Sequence, residues 1–135
     1  MATKIMDSWA LMALFNDEPA AELVEELLAK ASIGMHTLLM SVINWGEIYY
    51  SVMRGISQEA AEAKSLEIAG MPIEIIPVEA DLVLARQAAI YKATKRMAYA
   101  DCFAAALAKI RKAELVTGDP EFKQVEDEIK ISWLK

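Results

Sequence analysis

The chain contains very little of two residues on which many enzyme and metal-site chemistries depend. Its 135 residues include one cysteine, Cys102, and one histidine, His36. A single cysteine excludes an internal disulfide and a cysteine-based zinc site, and a single histidine excludes a histidine-rich metal cluster. Because only one histidine is available as a base, serine and cysteine hydrolase mechanisms are disfavoured.

Long apolar segments and targeting signals are also missing. No apolar run reaches the roughly 18 residues that a membrane span needs, and no signal-peptide pattern opens the chain. Hydrophobic residues at 56% and charged residues at 25% are typical of soluble globular proteins. We therefore expect a single cytoplasmic domain over residues 1–135, with a substantial core and no membrane partner.

Acidic residues outnumber basic ones, and the formal net charge of −6 by itself argues against a nucleic-acid partner. The distribution of charge argues the other way. Residues 86–112 hold seven basic residues and one acid, so this segment carries +6 and the remainder of the chain −12. The pattern indicates either a surface that meets phosphates or the solvated faces of two helices. The basic residues are Arg86, Lys92, Lys95, Arg96, Lys109, Arg111 and Lys112.

Apolar periodicity predicts strands that alternate with helices along the chain. The predicted strands cover residues 3–7, 36–42, 73–78, 115–117 and 129–134. The first predicted helix is a short one from Ala10, and the second covers residues 19–31. The third runs from a Ser41 cap to Arg54 with Gly55 as its C-cap, and the fourth runs from a Ser57 cap to near Gly70. The last two cover residues 79–95 and 99–112. This alternation favours a mostly parallel sheet of about five strands with helices on both faces.

Four acidic residues stand where a predicted strand ends or a predicted helix begins: Asp7, Glu47, Asp101 and Asp119. Ligands of open parallel sheets bind beyond the carboxyl ends of the strands, so all four side chains can face one crevice. Four like charges in one crevice require a hard divalent cation, and a carboxylate-lined Mg²⁺ or Mn²⁺ site suits phosphoryl chemistry. Each acid taken alone is equally compatible with a helix cap or a turn.

The segments around these acids, and their order, resemble the PIN domain family, and within it the VapC-like toxins of prokaryotic toxin–antitoxin pairs. The resemblance covers nearly the whole chain. It rests on Met-Asp-Ser-Trp-Ala-Leu at 6–11, Asn-Trp-Gly-Glu-Ile at 44–48, Tyr-Ala-Asp-Cys-Phe-Ala at 99–104 and Val-Thr-Gly-Asp-Pro-Glu-Phe at 116–122. One position departs from the family: Ala98 stands where a serine or threonine is common, which affects local positioning more than the metal site itself.

The resemblance implies a three-layer α/β/α PIN-like fold and an endoribonuclease that leaves a 5′-phosphate and a 3′-hydroxyl. The four acids would be both the catalytic residues and the ligands of one or two Mg²⁺ or Mn²⁺ ions. Thr117 and Glu121 would make supporting contacts, and the RNA phosphates would meet three basic residues, Arg86, Lys95 and Arg96.

VapC-like proteins pair as homodimers and accept an antitoxin segment, so the resemblance also implies both kinds of protein partner. Six apolar residues could form the surface that these partners cover, or could belong to the core. They are Met12, Leu14, Phe15, Tyr49, Tyr50 and Met53.

Three other functions stay open at this point. The chain could be a PIN nuclease of RNA processing outside toxin–antitoxin modules, or a non-catalytic PIN scaffold that binds RNA or protein. Retention of all four carboxylates disfavours the scaffold. A receiver or phosphatase domain is also disfavoured, because the first strand ends in one aspartate and no glycine-rich phosphate loop is present.

Overall fold

Parallel strands form the centre of the protein. The computed structural model describes residues 2–134, and Met1 and Lys135, the ends of the expected 1–135 domain, lie outside the described residues. Each neighbouring pair of strands is parallel, in the order β3-β2-β1-β4-β5, which confirms the predicted sheet. The strands are β1 (Ala2–Met6), β2 (His36–Ser41), β3 (Ile73–Ile76), β4 (Glu114–Thr117) and β5 (Ile131–Trp133).

Helices connect the strands, and several begin at side-chain caps. Asp7, Ser41 and Ser57 accept hydrogen bonds from backbone N–H groups in the first turns of α1, α3 and α4. None of the helices within residues 2–134 is long and apolar enough to cross a membrane. The helices are α1 (Ser8–Phe15), α2 (Ala21–Ser32), α3 (Val42–Gly55), α4 (Gln58–Ala69), α5 (Val83–Thr94), α6 (Tyr99–Arg111) and a 3₁₀ helix (Pro120–Val125).

The hydrophobic core has two parts, one on each face of the sheet, because successive strand residues point to opposite faces. On one face, Ile5 and its neighbours pack under α5 and α6. On the other face, Met6 and its neighbours pack under α1 to α4. Residues 102–108 of α6 are all buried, and their mostly small side chains let this helix lie close to the sheet. The protein is therefore a three-layer α/β/α fold, as predicted.

The strand order creates a crevice at the carboxyl ends of β1 and β4. From β1 the chain builds outward to β2 and β3 on one side, and then returns to add β4 and β5 on the other side. Connections that leave two adjacent strands in opposite directions open a crevice between them. Met6 is paired with Val116, so Asp7 and Thr117 emerge side by side at this point.

Several predicted boundaries were wrong. The helix predicted over 79–95 starts only at Val83, because Leu82 has a left-handed backbone (φ 69°). The last strand is shorter than the predicted 129–134. The 3₁₀ helix at Pro120–Val125 has no counterpart among the predicted elements. Gly55 is the last residue of α3 and Ile56 is its cap.

Candidate functional site

Asp7 is the best-anchored acid in the crevice, and it is completely buried. Its Oδ1 accepts a hydrogen bond of 2.9 Å from the backbone N–H of Ala10 and so caps α1. Its Oδ2 accepts a hydrogen bond of 2.5 Å from the Thr117 hydroxyl, which comes from the neighbouring strand. Both carboxylate oxygens are therefore fixed by groups from two different elements.

The segment after β4 presents two more acids in a chain of hydrogen bonds. The Thr117 Oγ1 accepts from the backbone N–H of Asp119 at 3.0 Å. Asp119 Oδ1 in turn accepts from the N–H of Glu121 at 2.9 Å, which caps the 3₁₀ helix. Thr117 thus holds Asp7 and Asp119 in one arrangement.

Asp101 enters the crevice from the first turn of α6 and is buried. One carboxylate oxygen from each of Asp101, Asp119 and Glu121 lies within 4.8 Å of the other two. Such a separation allows three oxygens to surround a single small cation.

Glu47 reaches the crevice from α3, one turn after the helix begins. Its side chain is half-buried, and its Oε1 accepts a hydrogen bond from the hydroxyl of Ser8, the first residue of α1. The bond joins α1 to α3 directly beside Asp7. The structure therefore brings together all four acids singled out in the sequence, and Thr117 and Glu121 with them.

Burial raises the pKa of Asp7 from its ordinary 3.8 to about 7. Loss of hydration is the largest cause, and the charges of Asp119 and Glu47 raise the pKa further. The hydrogen bonds from Thr117 and Ala10 oppose this shift because they stabilise the carboxylate.

The pKa of Asp101 rises to about 8, again mainly through burial. The next causes are repulsion from Asp119, Glu47, Asp7 and Glu121, in that order of importance. The negative charges of the neighbouring acids thus disfavour ionisation of both Asp7 and Asp101.

The donor set fits a hard divalent cation such as Mg²⁺ or Mn²⁺. Its ligand atoms are carboxylate oxygens, which these ions prefer to nitrogen or sulfur. The raised pKa values show that the buried negative charges are poorly compensated by the protein alone. A divalent cation would remove that repulsion, so the residues present suit the group.

A family model for the PIN domain matches residues 4–128, which include all five acids of the crevice. The chain belongs to the PIN domain family. The resemblance seen in the sequence is thereby confirmed, although the individual roles of the acids remain predictions. Comparison with curated proteins gives no match.

Solved structures share the fold of this PIN domain over almost its entire length. VapBC2 from Rickettsia felis, bound to a DNA fragment from its promoter, contains a chain that is 21% identical with a TM-score of 0.72, covering 98% of this chain and 99% of that one. DNA-bound VapBC from Salmonella typhimurium contains a chain that is 20% identical with a TM-score of 0.71, and the match covers 98% of each of the two chains. VapC20 from Mycobacterium tuberculosis, a toxin that cleaves the sarcin–ricin loop, is 17% identical with a TM-score of 0.72. The match covers 90% of this chain and 94% of that one.

The three basic residues predicted to meet RNA lie at different places in the PIN domain. Arg96 is exposed in the loop that leads into α6, close in sequence to Asp101. Lys95 lies beside it, and its Nζ is 3.8 Å from a carboxylate oxygen of Glu128. Arg86 lies near the start of α5, an end that packs beside the last turn of α6. The structure therefore brings Lys95 and Arg96, but not Arg86, to the side of the acids.

The predicted apolar surface is only partly exposed in this PIN domain. Tyr50 and Met53 are 47% and 45% exposed and lie on α3. The other four residues are half-buried and pack against the core under α1 to α4, so they contribute mainly to the fold. They are Met12, Leu14, Phe15 and Tyr49.

Sequence analysis missed two polar residues that contact the site. Ser8 donates to Glu47, and the buried Asn44 donates from its Nδ2 to the carbonyl of Ala100 at 3.1 Å. Ser8 follows Asp7 directly, and Asn44 precedes Glu47 by one helical turn. Their spacing to the acids could have marked both residues as candidates, but not the partners that they bind.

The turn after β4 has no room for a side chain at Gly118. An added Cβ would lie 2.3 Å from Cη2 of Trp9, far inside van der Waals contact. We expect Gly118→Ala to displace the indole ring or the turn that carries Asp119, lowering the free energy of unfolding by roughly 1–3 kcal/mol and weakening Mn²⁺ binding. Urea denaturation and titration calorimetry would measure the two effects.

The matched control for this prediction is Gly55→Ala, where nothing lies within 4 Å of the added Cβ. Adding Trp9→Leu to Gly118→Ala should recover part of the Mn²⁺ affinity, because the shorter side chain removes the clash. Unchanged stability and Mn²⁺ affinity in Gly118→Ala would show that the turn relaxes without cost and would contradict the prediction.

Proposed function

We propose that this PIN domain is a divalent-metal-dependent endoribonuclease and the toxin of a toxin–antitoxin pair. One observation carries the proposal: five carboxylates share the crevice beyond β1 and β4, and burial together with repulsion from the other acids raises the pKa values of Asp7 and Asp101. Uncompensated buried charge destabilises a fold. A function that requires a bound cation accounts for such a cluster, and helix capping alone does not.

Asp7, Glu47, Asp101 and Asp119 would hold one or two Mg²⁺ or Mn²⁺ ions, with Glu121 at the edge of the site. When bound, such an ion lowers the pKa of a coordinated water and stabilises negative charge on a phosphodiester. The protein supplies ligands whose positions are set before the ion arrives. Hydrolysis of the phosphodiester would leave a 5′-phosphate and a 3′-hydroxyl.

Thr117 contributes by positioning two of these ligands. Its hydroxyl donates to Asp7 and accepts from the N–H of Asp119, so its hydrogen is already used within the protein. Replacing Thr117 with valine, which has nearly the same shape, would remove both hydrogen bonds, so that Asp7 and Asp119 would no longer be connected. The residue therefore acts on the arrangement of the ligands and not on the phosphate.

Arg96 is the basic residue best placed to meet an RNA phosphate, because it is exposed and close to Asp101. We expect Arg96→Ala to weaken RNA binding and to reduce the slope of log affinity against log salt by about 1, since one phosphate contact is lost. Lys95→Ala should have a smaller effect, because Glu128 already neutralises part of that charge. Fluorescence anisotropy with the cleavage-deficient Asp101→Asn protein, over a range of salt concentrations, would measure these slopes.

Arg86→Ala is the matched comparison for Arg96→Ala. It removes the same charge from an exposed position at the other end of α5. A change of slope at Arg86 equal to that at Arg96 would mean that RNA lies along the whole α5–α6 pair. An unchanged slope in Arg96→Ala would show that this residue is part of a solvated surface.

The structural relatives support the toxin part of the proposal. Two of the solved structures described above are VapBC assemblies bound to DNA, and a third is a toxin that cleaves the sarcin–ricin loop. By analogy, a protein antitoxin would be the partner of this PIN domain, RNA its substrate and a homodimer its assembly. The exposed Tyr50 and Met53 on α3 are available for such contacts.

The decisive experiment is RNA cleavage by the purified protein. Structured and unstructured RNAs are incubated with Mn²⁺ or Mg²⁺ and with a chelator, and the chemistry of the product ends is determined. Cleavage that needs the metal and leaves 5′-phosphates is expected. No cleavage of any RNA, together with no divalent-ion binding by calorimetry, would refute the metal-dependent nuclease and favour the scaffold. Growth arrest on expression, relieved by the protein encoded beside it, would separate a toxin from a nuclease of RNA processing.

A further inference from the structure

The helix that presents Asp101 begins without a side-chain cap. Ala98 occupies the N-cap position of α6 with an extended backbone (φ −60°, ψ 148°), and it makes no side-chain hydrogen bond. By contrast, α1, α3 and α4 are each capped by an aspartate or a serine. The side-chain hydrogen bond that commonly fixes the first turn of a helix is therefore missing from α6, the helix that carries Asp101.

Gln124, from the 3₁₀ helix, binds the loop just before this uncapped start. Its Oε1 accepts from the backbone N–H of Arg96 at 2.8 Å, and its Nε2 donates to the carbonyl of Arg96 at 3.0 Å. The same Nε2 also donates to the carbonyl of Glu121 at 3.1 Å. One half-buried carboxamide thus joins the backbone before Asp101 to the backbone at Glu121.

Two other side chains hold the surrounding backbone. Lys92 donates from its Nζ to the carbonyl of Met97 at 2.9 Å, which ties the loop to α5. Asn44 donates to the carbonyl of Ala100 and ties the first turn of α6 to α3, the helix of Glu47. Neither contact connects α6 to the segment that carries Asp119 and Glu121. Gln124 makes that connection.

We propose that Gln124 is a positioning residue, which sets the separation of Asp101 from Asp119 and Glu121 by fixing the start of α6 in place of the cap that Ala98 lacks. The proposal rests on the metal-dependent function put forward above, and it concerns how the ligands are held. Two of its three hydrogen bonds hold the N–H and the carbonyl of Arg96 in the loop, and the third holds the carbonyl of Glu121. Without these bonds, the backbone at the start of α6 would be less firmly held. The carboxylate oxygens of Asp101, Asp119 and Glu121 would then surround a cation less well.

The test compares Gln124→Ala with the wild type by Mn²⁺ titration calorimetry, well below the melting temperatures of both proteins. Loss of a group that orients metal ligands typically weakens affinity by about 10–100-fold, and we expect a loss in this range. Gln87→Ala, the same change on α5, is the control and should bind Mn²⁺ as the wild type does. RNA cleavage at saturating Mn²⁺ should recover most of the wild-type kcat.

A local cap should rescue the variant if positioning is the cause. Adding Ala98→Ser to Gln124→Ala places a hydroxyl where it can accept from the N–H of Ala100 or Asp101. We expect this double variant to regain at least part of the lost Mn²⁺ affinity. A Gln124→Ala protein that melts at a lower temperature yet binds Mn²⁺ like the wild type would overturn the proposal, and so would a failure of Ala98→Ser to restore any affinity.

A readout without metal separates this inference from the proposed function. In hydrogen exchange, Gln124→Ala should speed exchange of the backbone amides of Arg96, which donates to Gln124, and of Cys102, which donates to the carbonyl of Ala98, while amides of β1 keep their wild-type rates. If the wild type binds no Mn²⁺, the proposed function fails and the exchange rates still decide the inference. Unchanged exchange over residues 96–102 would refute it.

Discussion

Asp101→Asn should reduce the rate of RNA cleavage by roughly 10³-fold or more, because it removes a buried carboxylate that we propose as a ligand of the catalytic metal. The amide has almost the same shape as the carboxylate, so the fold should be retained. Asp101 sits in the first turn of α6 with oxygens of Asp119 and Glu121 within 4.8 Å. A ligand at this place cannot be replaced by a neighbour without moving the helix. Cleavage assays with Mn²⁺, beside circular dichroism of both proteins, would measure the effect.

The control for this prediction is Asp127→Asn, which makes the same change at an exposed position. It should cut RNA at the wild-type rate. If Asp101→Asn also cleaves at that rate, the active site lies elsewhere in the protein. A tenfold loss that is restored by raising the Mn²⁺ concentration would mean that Asp101 strengthens metal binding without being essential to the chemistry.

The second large effect concerns the metal-free protein, whose free energy of unfolding should fall as the pH rises from 5 to 9. In the folded state the pKa of Asp7 is about 7 and that of Asp101 about 8, while both are near 3.8 when unfolded. Between these values the folded state binds more protons than the unfolded state, so stability decreases with pH. The stabilisation by protonation is complete below pH 3.8 and lost once the pH passes 8.

We expect a decrease of roughly 2–5 kcal/mol over this range in the presence of a chelator. Hydrogen bonds from Lys4 and Lys109 lower the pKa values of Glu114 and Glu128, so these two groups do not contribute to a loss of stability with rising pH. Asp101→Asn should flatten the profile and stabilise the protein at pH 8. At pH 8, saturating Mn²⁺ should restore the lost stability of the wild-type protein, because the ion binds the folded state only.

Urea denaturation at several pH values, with chelator and with Mn²⁺, is the measurement. Asp127→Asn should keep the wild-type profile. Stability that does not change between pH 5 and pH 9 in the chelator would show that the acids do not repel one another in a buried crevice, and it would remove the main support for a metal site.

The sheet and the order of its elements could be predicted because both depend on patterns that are local in sequence. Apolar runs separated by amphipathic helices specify parallel strands, and parallel strands bring their carboxyl ends to one edge. That rule predicts that Asp7 and Asp119 lie at the same edge of the sheet. The start of α5 could not be predicted in the same way, because it depends on the left-handed backbone of Leu82, a conformation that a leucine rarely adopts.

Contacts between distant segments were the part of the site that the sequence did not reveal. The carboxamide of Gln124 binds the backbone of a residue 28 positions away, and Asn44 binds a carbonyl 56 positions away. Backbone groups look alike in every sequence, so no pattern of residue types indicates such a bond. Arg86 and Arg96 belong to the same basic segment of the sequence, but they lie near opposite ends of α5.

The order of the strands also determines when this crevice can exist during synthesis. Two of its five acids are in the first 50 residues, and the other three come after residue 100. Asp7 and Thr117 meet only when β4 pairs with β1, a contact between residues 110 positions apart. A ribosome-bound chain that has released only its first three strands therefore carries two of the five acids and no crevice. Whatever activity the site has is withheld from the nascent chain until β4 has emerged and docked.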